Sequence, residues 1–223
     1  MSIRVFILVE GQTEERFVKD VLAPNLQTQK IFLIPTILAT KRVKDGPNFK
    51  GGITSFGKIE RDLRRLLASA SDAFVTTLMD YYQLPSDFPG MGSRPQRSNA
   101  LQRVCHVEAA ILRHFGSPPN FIPFLALHEF EAWLFSSGEE LPAVMNERQK
   151  QDVFEAICSS VTTPEEINER PALAPSKRIL KMFPAYRKTL HGPTAAGRIG
   201  LEKIRAACPH FNEWLTRLEI LGT

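Results

Sequence analysis

Cysteine is scarce in this chain. Three in 223 residues, Cys105, Cys158 and Cys208, are odd in number, scattered, and in helical contexts. A disulfide framework is thereby excluded, and with no CxxC pair a zinc site is not expected. The reading is of reduced core thiols in a cytoplasmic protein. No apolar run is long enough to span a bilayer, so no membrane association is expected. The N-terminus carries one Arg before its first apolar run and a Glu after it, unlike a secretory signal. The phosphate-binding pattern GxxxxGK[ST] is absent, as are internal repeats and low-complexity tracts. Neither sign of charge is lacking: 28 Lys and Arg against 24 Asp and Glu give a net charge of +4 and a pI near 9.0, only mildly basic.

What is present is a globular composition, 43% hydrophobic, in a chain long enough to bury one α/β core with an appendage. The run Ile3-Arg4-Val5-Phe6-Ile7-Leu8-Val9 is apolar from Val5 onward, as in a strand buried on both faces. It stops at Glu10-Gly11, where Gly11 is read as allowing a sharp turn. Gln12-Thr13-Glu14-Glu15 then opens a helix, with Phe17, Val18, Val21 and Leu22 at helical spacing. A second apolar run, Ala73 to Met79, ends at Asp80. If these strands are parallel, Glu10 and Asp80 share the carboxyl edge of one sheet, where open α/β sheets place their ligand sites. Converging carboxylates repel and raise each other's pKa, and a hard cation such as Mg²⁺ (or Mn²⁺) relieves this.

A third acidic segment follows the strand predicted over Phe121 to Ala126. His128-Glu129-Phe130-Glu131 offers two further oxygen ligands. Glu129 is preferred as the nearer to the strand end, and His128 is read as a hydrogen-bonding partner rather than a ligand. Pro175-Ser176-Lys177-Arg178 reads as a helix N-terminus with Ser176 as its cap, suited to hold phosphate on free backbone N–H groups. Lys177, Arg178, Lys188 and His191 are the candidate phosphate contacts. Further basic groups stand at Lys41, Arg42 and Lys44, on a helix at Lys58, Arg61, Arg64 and Arg65, and at Arg94, Arg97 and Arg103. Such clusters hold a phosphate backbone without reading sequence.

The chain is divided into an α/β core over 1–138, with a turn-rich insertion near 83–100, and a helical C-terminal extension over 139–223. Helices are predicted over Ala100 to Phe115, from Pro164 with Thr162-Thr163 before it, and from Pro209.

Glu10-Gly11-Gln12-Thr13-Glu14 and the strand-terminal Asp80 resemble the Toprim superfamily, in particular the EGxTE start of OLD-type nucleases. One departure is that the usual Asp-x-Asp reads here Asp80-Tyr81-Tyr82. A narrower resemblance rests on Asp80-Tyr81-Tyr82-Gln83-Leu84-Pro85, Phe88-Pro89-Gly90, His128 through Phe135, Pro175 through Ile179, and the tail from His191-Gly192-Pro193 to Cys208-Pro209-His210-Phe211. These look like the DUF4276 family of bacterial Toprim-like proteins, often associated with mobile elements and phage defence.

The resemblance implies a Toprim-like, mostly parallel central sheet flanked by helices, with helical C-terminal additions. It implies a Mg²⁺-dependent nuclease acting on DNA or RNA, with a separate ABC/AAA-type ATPase as partner. Glu10, Asp80 and Lys177 are the expected catalytic residues, and Glu10, Glu14, Asp80, Glu129 and Glu131 the expected metal ligands. Two alternatives stay open: a non-catalytic module that binds nucleic acid or an ATPase through a vestigial metal site, and a metal-dependent nucleotidyl or phosphoryl transferase.

Overall fold

The computed structural model describes residues 2–38, 55–82, 84–167 and 173–222. Strand β1 (Ile3–Val9) leads into α1 (Gln12–Phe17), a π turn (Val18–Leu22) and α2 (Ala23–Gln27), then β2 (Ile31–Ile37). Helix α3 (Phe56–Ser69) precedes β3 (Phe74–Asp80), and α4 (Ala100–His114) precedes the short β4 (Phe121–Ile122) and β5 (Leu125–Ala126). A 3₁₀ helix (Phe130–Ser136) follows. The remainder is helical: α5 (Glu140–Val144), α6 (Gln151–Cys158), α7 (Pro175–Met182), α8 (Lys188–Ile199), α9 (Leu201–Ala207) and α10 (Pro209–Ile220), with 3₁₀ turns at Arg148–Lys150 and Pro164–Glu166. The wide turn at Val18–Leu22 stands directly before Pro24, which has no N–H to give to an α-helical ladder.

The strands form one parallel sheet in the order β2-β1-β3-β4, with β5 also pairing parallel to β3. The fold is therefore α/β, a parallel sheet flanked by helices. Val5, Ile7 and Val9 face one apolar cluster and Leu8 the other, and all four are fully buried. Burying such a side chain contributes about 1.5–3 kcal/mol, so a one-residue slip of β1 would forfeit several such terms. Pro35 sits in β2, at the sheet edge, where a missing donor costs least.

The strand expected over Phe121 to Ala126 is interrupted. Pro123 lacks an N–H, and β3 bridges the gap with a side chain: Thr77 Oγ1 donates to the Phe124 carbonyl at 2.7 Å and accepts from the Phe124 N–H at 2.8 Å. Chain direction is kept, so β5 still delivers the 128–131 segment to the carboxyl edge.

Helices α3 and α4 pack on one face of the sheet through Ile59, Leu63, Val104, Val107 and Ile111. The C-terminal helices share the core of the opposite face, where Ile179, Phe183, Ile204, Phe211 and Trp214 join Val5, Ile7 and Phe17. Trp214 Nε1 donates to Thr76 Oγ1 at 2.9 Å and its ring stacks on Phe124 at 4.4 Å. Gly192 lets α8 approach the 3₁₀ helix closely: a Cβ there would lie 2.9 Å from Tyr186 Oη and 3.0 Å from the Phe130 ring. Among the described residues no helix is long and apolar enough to cross a membrane.

Candidate active site

The parallel register Val9↔Leu78 puts the ends of β1 and β3 side by side. Glu10 and Asp80 therefore meet at one sheet edge, and the Asp80 N–H points to Glu10 Oε2 at 3.5 Å. The chain bends at Glu10-Gly11 as expected, but Gly11 is extended at φ −159°, a conformation open to any residue, and α1 begins directly after it. That start brings Glu14, 3% exposed, into the same space. Asp80 Oδ1 accepts the Phe130 N–H at 2.9 Å, which fixes the entry into the 3₁₀ helix and directs the fully buried Glu131 inward.

One cation holds these acids together. Lys188, at the start of α8, places Nζ 3.1 Å from Glu131 Oε2, 3.4 Å from Asp80 Oδ2 and 3.8 Å from Glu14 Oε1. Its side chain is 38% exposed, so the cluster opens to solvent on that side. Tyr186 Oη donates to Glu131 Oε1 at 3.5 Å.

Charge in this cluster is unbalanced. Burial, then Asp80 and Glu14, push Glu10 up to about 8. Burial pushes Glu131 up to about 7, with Lys188 opposing and Asp80 adding to the rise. Glu14 is raised by burial and by Asp80. Burial would lower Lys188, but Asp80, Glu131 and Glu14 hold its ammonium well above the usual lysine range. Beyond the ion pair with Lys188, Glu131 Oε2 has no hydrogen-bond partner. These carboxylate oxygens are of the donor type that a hard divalent cation takes, and here the Lys188 ammonium stands between them.

Glu129, the preferred acid of its pair, goes elsewhere. Its Oε2 accepts the Ser176 N–H at 2.9 Å and its Oε1 the Ser176 hydroxyl at 3.0 Å. The reason is the change of conformation between them: Glu129 is extended and the 3₁₀ helix starts at Phe130, so Glu131, not Glu129, turns toward Asp80 and Lys188. This also corrects the reading of Ser176 as a cap. The N-cap position of α7 is Ala174, without a side-chain cap, and Glu129 supplies the acceptor from a distant segment. The phosphate site expected at that helix end is already filled by a carboxylate.

Lys188, expected to face the acidic centre and hold phosphate there, does face it and is paired directly with the acids. Lys177 is exposed on α7, and Arg178 Nε donates to the Leu173 carbonyl at 2.9 Å. His191 Nδ1 accepts the Arg187 N–H at 2.9 Å, and burial followed by Arg187 lowers its pKa. These Arg178 and His191 contacts lie outside the acidic cluster. Lys58, Arg61, Arg64 and Arg65 are exposed on α3. Arg94 Nη1 donates to Tyr81 Oη at 3.0 Å. The basic group Lys41, Arg42 and Lys44 and the glycine-rich stretch 46–52 lie outside the described residues. His128 is buried, pushed down to about 4 by burial and Arg103, and lines a separate cavity of about 660 Å³ with Ser98, Asn99, Arg103 and Thr162.

Tyr186 and Gly192 were not singled out for the site from sequence. Their only signal was membership of the tail that carries Lys188. Of the three cysteines only Cys208 is buried; Cys158 is intermediate and Cys105 exposed.

A family model described as "Domain of unknown function (DUF4276)" matches residues 9–219, and the chain belongs to that family. No curated protein matches it. Among solved structures, the C-terminal region of the Xanthomonas campestris pv. campestris OLD protein is similar at 15% identity, over 96% of this chain and 97% of that chain, with a TM-score of 0.39.

Proposed function

We propose that this member of the DUF4276 family is a Mg²⁺- or Mn²⁺-dependent phosphodiester hydrolase of Toprim type that acts on DNA or RNA. One observation carries the reading. Glu14, Asp80 and Glu131 surround a single ammonium at the carboxyl edge of a parallel sheet, with Glu10 beside them. A cluster so rich in raised carboxyls is costly to fold and is useful where a cation and a phosphate must meet. The Glu10-Gly11-Gln12-Thr13-Glu14 resemblance to OLD-type nucleases supports the same reading.

Glu14, Asp80 and Glu131 would hold the cation, Glu131 through the oxygen that has no hydrogen-bond partner. When bound, such an ion polarises a phosphoryl oxygen and lowers the pKa of a bound water. Glu10, beside these ligands and raised to about 8 in the metal-free site by burial and by Asp80 and Glu14, is the carboxyl assigned to proton transfer. Lys188 offers its ammonium to negative charge developing on the phosphoryl group. Lys177 and Arg178 would contact the phosphate backbone farther from the centre. The chain encodes no GxxxxGK[ST] pattern, so energy coupling would require a separate ABC/AAA-type ATPase. The setting proposed is the cytoplasm.

A second reading draws on the same lysine. An ammonium among the acids can stand in for a metal, and the site would then be a vestige in a module that binds nucleic acid or an ATPase. Incubation of the purified chain with single- and double-stranded DNA and RNA, with Mg²⁺ or Mn²⁺, separates the two. Cleavage that needs the cation and is lost in Asp80→Asn supports the hydrolase. Binding without cleavage under either cation supports the module.

A further inference from the structure

We propose that Cys105, Glu108 and His210 form a second metal site, for a divalent ion of the zinc class, joining α4 to α10. One ligand atom from each of these residues lies within 4.8 Å of the other two. A tetrahedral zinc with bonds of about 2.0–2.3 Å sets its ligand atoms roughly 3.3–3.8 Å apart, so a small contraction closes the set. Cys105 and Glu108 are three residues apart on α4, and so share one helix face. The set of sulfur, nitrogen and oxygen differs in kind from the all-oxygen cluster at the sheet edge, and it suits a softer ion.

His210 is held in place before any ion arrives. It is 6% exposed, its ring stacks on Phe124 at 5.0 Å, and its backbone N–H is fixed by Glu165 Oε2 at 2.9 Å. Its Nε2 lies 3.0 Å from Glu108 Oε1, whereas its Nδ1 is buried without a partner. Glu108 Oε1 is steadied by the Leu125 N–H at 2.8 Å. Cys105 is exposed, which gives an ion a path from solvent. Glu213, three residues beyond His210 on α10, adds negative charge near both Cys105 and His210. Binding sends the Cys105 thiol proton to solvent, and the ion takes the place of any proton shared by His210 and Glu108, which leaves to solvent as well. The site shares no residue with the acidic cluster.

The test is a Co²⁺ titration of the chelator-treated full-length chain. The expected result is a thiolate-to-cobalt charge-transfer band that saturates at one equivalent, is bleached by Zn²⁺, and is unmoved by excess Mg²⁺. It should vanish in Cys105→Ser and persist in Cys158→Ser and Glu10→Gln. Zn²⁺ should raise the melting temperature of the parent and not of Cys105→Ser, whose exposed position leaves folding intact. Absence of the band, or its persistence in Cys105→Ser, overturns the proposal. So does an equal Zn²⁺ shift in parent and Cys105→Ser.

Discussion

The Lys188 ammonium lies 3.1 Å from Oε2 of Glu131, a carboxylate with no exposure to solvent. Breaking a buried pair by removing one partner costs about 3–5 kcal/mol, and an exposed pair is worth about 0–1. With the lysine 38% exposed, Lys188→Met should destabilise the fold by roughly 1–3 kcal/mol, between those limits. Mg²⁺ should recover part of the loss, because it neutralises the same acids. Urea denaturation with and without Mg²⁺ measures both effects. A variant as stable as the parent in metal-free buffer would show that the acids are not ionised together.

Glu10→Gln should lower cleavage by at least about 10²-fold, the usual scale for a lost proton-transfer group. Nucleic-acid binding should hold or tighten, since one negative charge is gone. Gel-based cleavage assays beside anisotropy titrations read the two apart. Loss of binding in step with cleavage would argue against the role in proton transfer.

The pH dependence of stability follows from the same carboxyls. Glu10 and Glu131 titrate near about 8 and about 7 in the fold, against 4.5 for the free group. Between those values the unfolded chain has released protons that the fold retains, so stability falls as pH rises through this window. Below about 4.5 both states are protonated and the effect is absent; above about 8 it is complete. Thermal melts of the parent and Glu10→Gln from pH 4 to pH 9, without divalent ions, should diverge in the variant's favour with rising pH. Parallel curves would contradict the raised Glu10.

The two acids of the 129–131 segment should separate cleanly. Glu129→Ala removes the acceptor of the Ser176 N–H and hydroxyl, and should cost roughly 1–2 kcal/mol of stability with little effect on Mg²⁺ affinity. Glu131→Gln should weaken Mg²⁺ binding. Isothermal titration of both variants decides it, and a reversed pattern would restore Glu129 as the ligand.

Lys177→Ala should weaken nucleic-acid binding and flatten its salt dependence, by about one counterion in the log–log slope. Stability should move by less than about 0.5 kcal/mol, as at most exposed positions. Unchanged affinity at every salt concentration would assign that face of α7 to another contact.

Much of this was legible because strands β1 and β3 are continuous apolar runs that each end in an acid. That pattern placed Glu10 and Asp80 together, and the resemblance of Glu10-Gly11-Gln12-Thr13-Glu14 to the OLD-type start added Glu14. Two things were not legible. The choice between Glu129 and Glu131 depends on a 3₁₀ turn anchored by Asp80 on the Phe130 N–H, a tertiary contact with no local signature. Charge balance already pointed Lys188 toward the acidic centre; what it did not show is that the ammonium pairs directly with the acids, from 108 residues beyond Asp80 and on a helix whose approach depends on a bare glycine. The reading of the cysteines as core thiols held only for Cys208, because helical context along the chain does not say which face of a helix is covered.

Among the described residues three helix starts are stoppered by the chain's own acids: Asp87, which accepts the Phe56 N–H of α3 at 3.0 and 3.1 Å, Glu129 at α7, and Glu165, which accepts the His210 and Phe211 N–H groups of α10 at 2.9 and 3.0 Å. A phosphate drifting to any of these ends meets a tethered competitor. The plugs thus act as a filter. They close three berths to a polyanion, and under the proposed function the sheet edge at Lys188 is the place left for it.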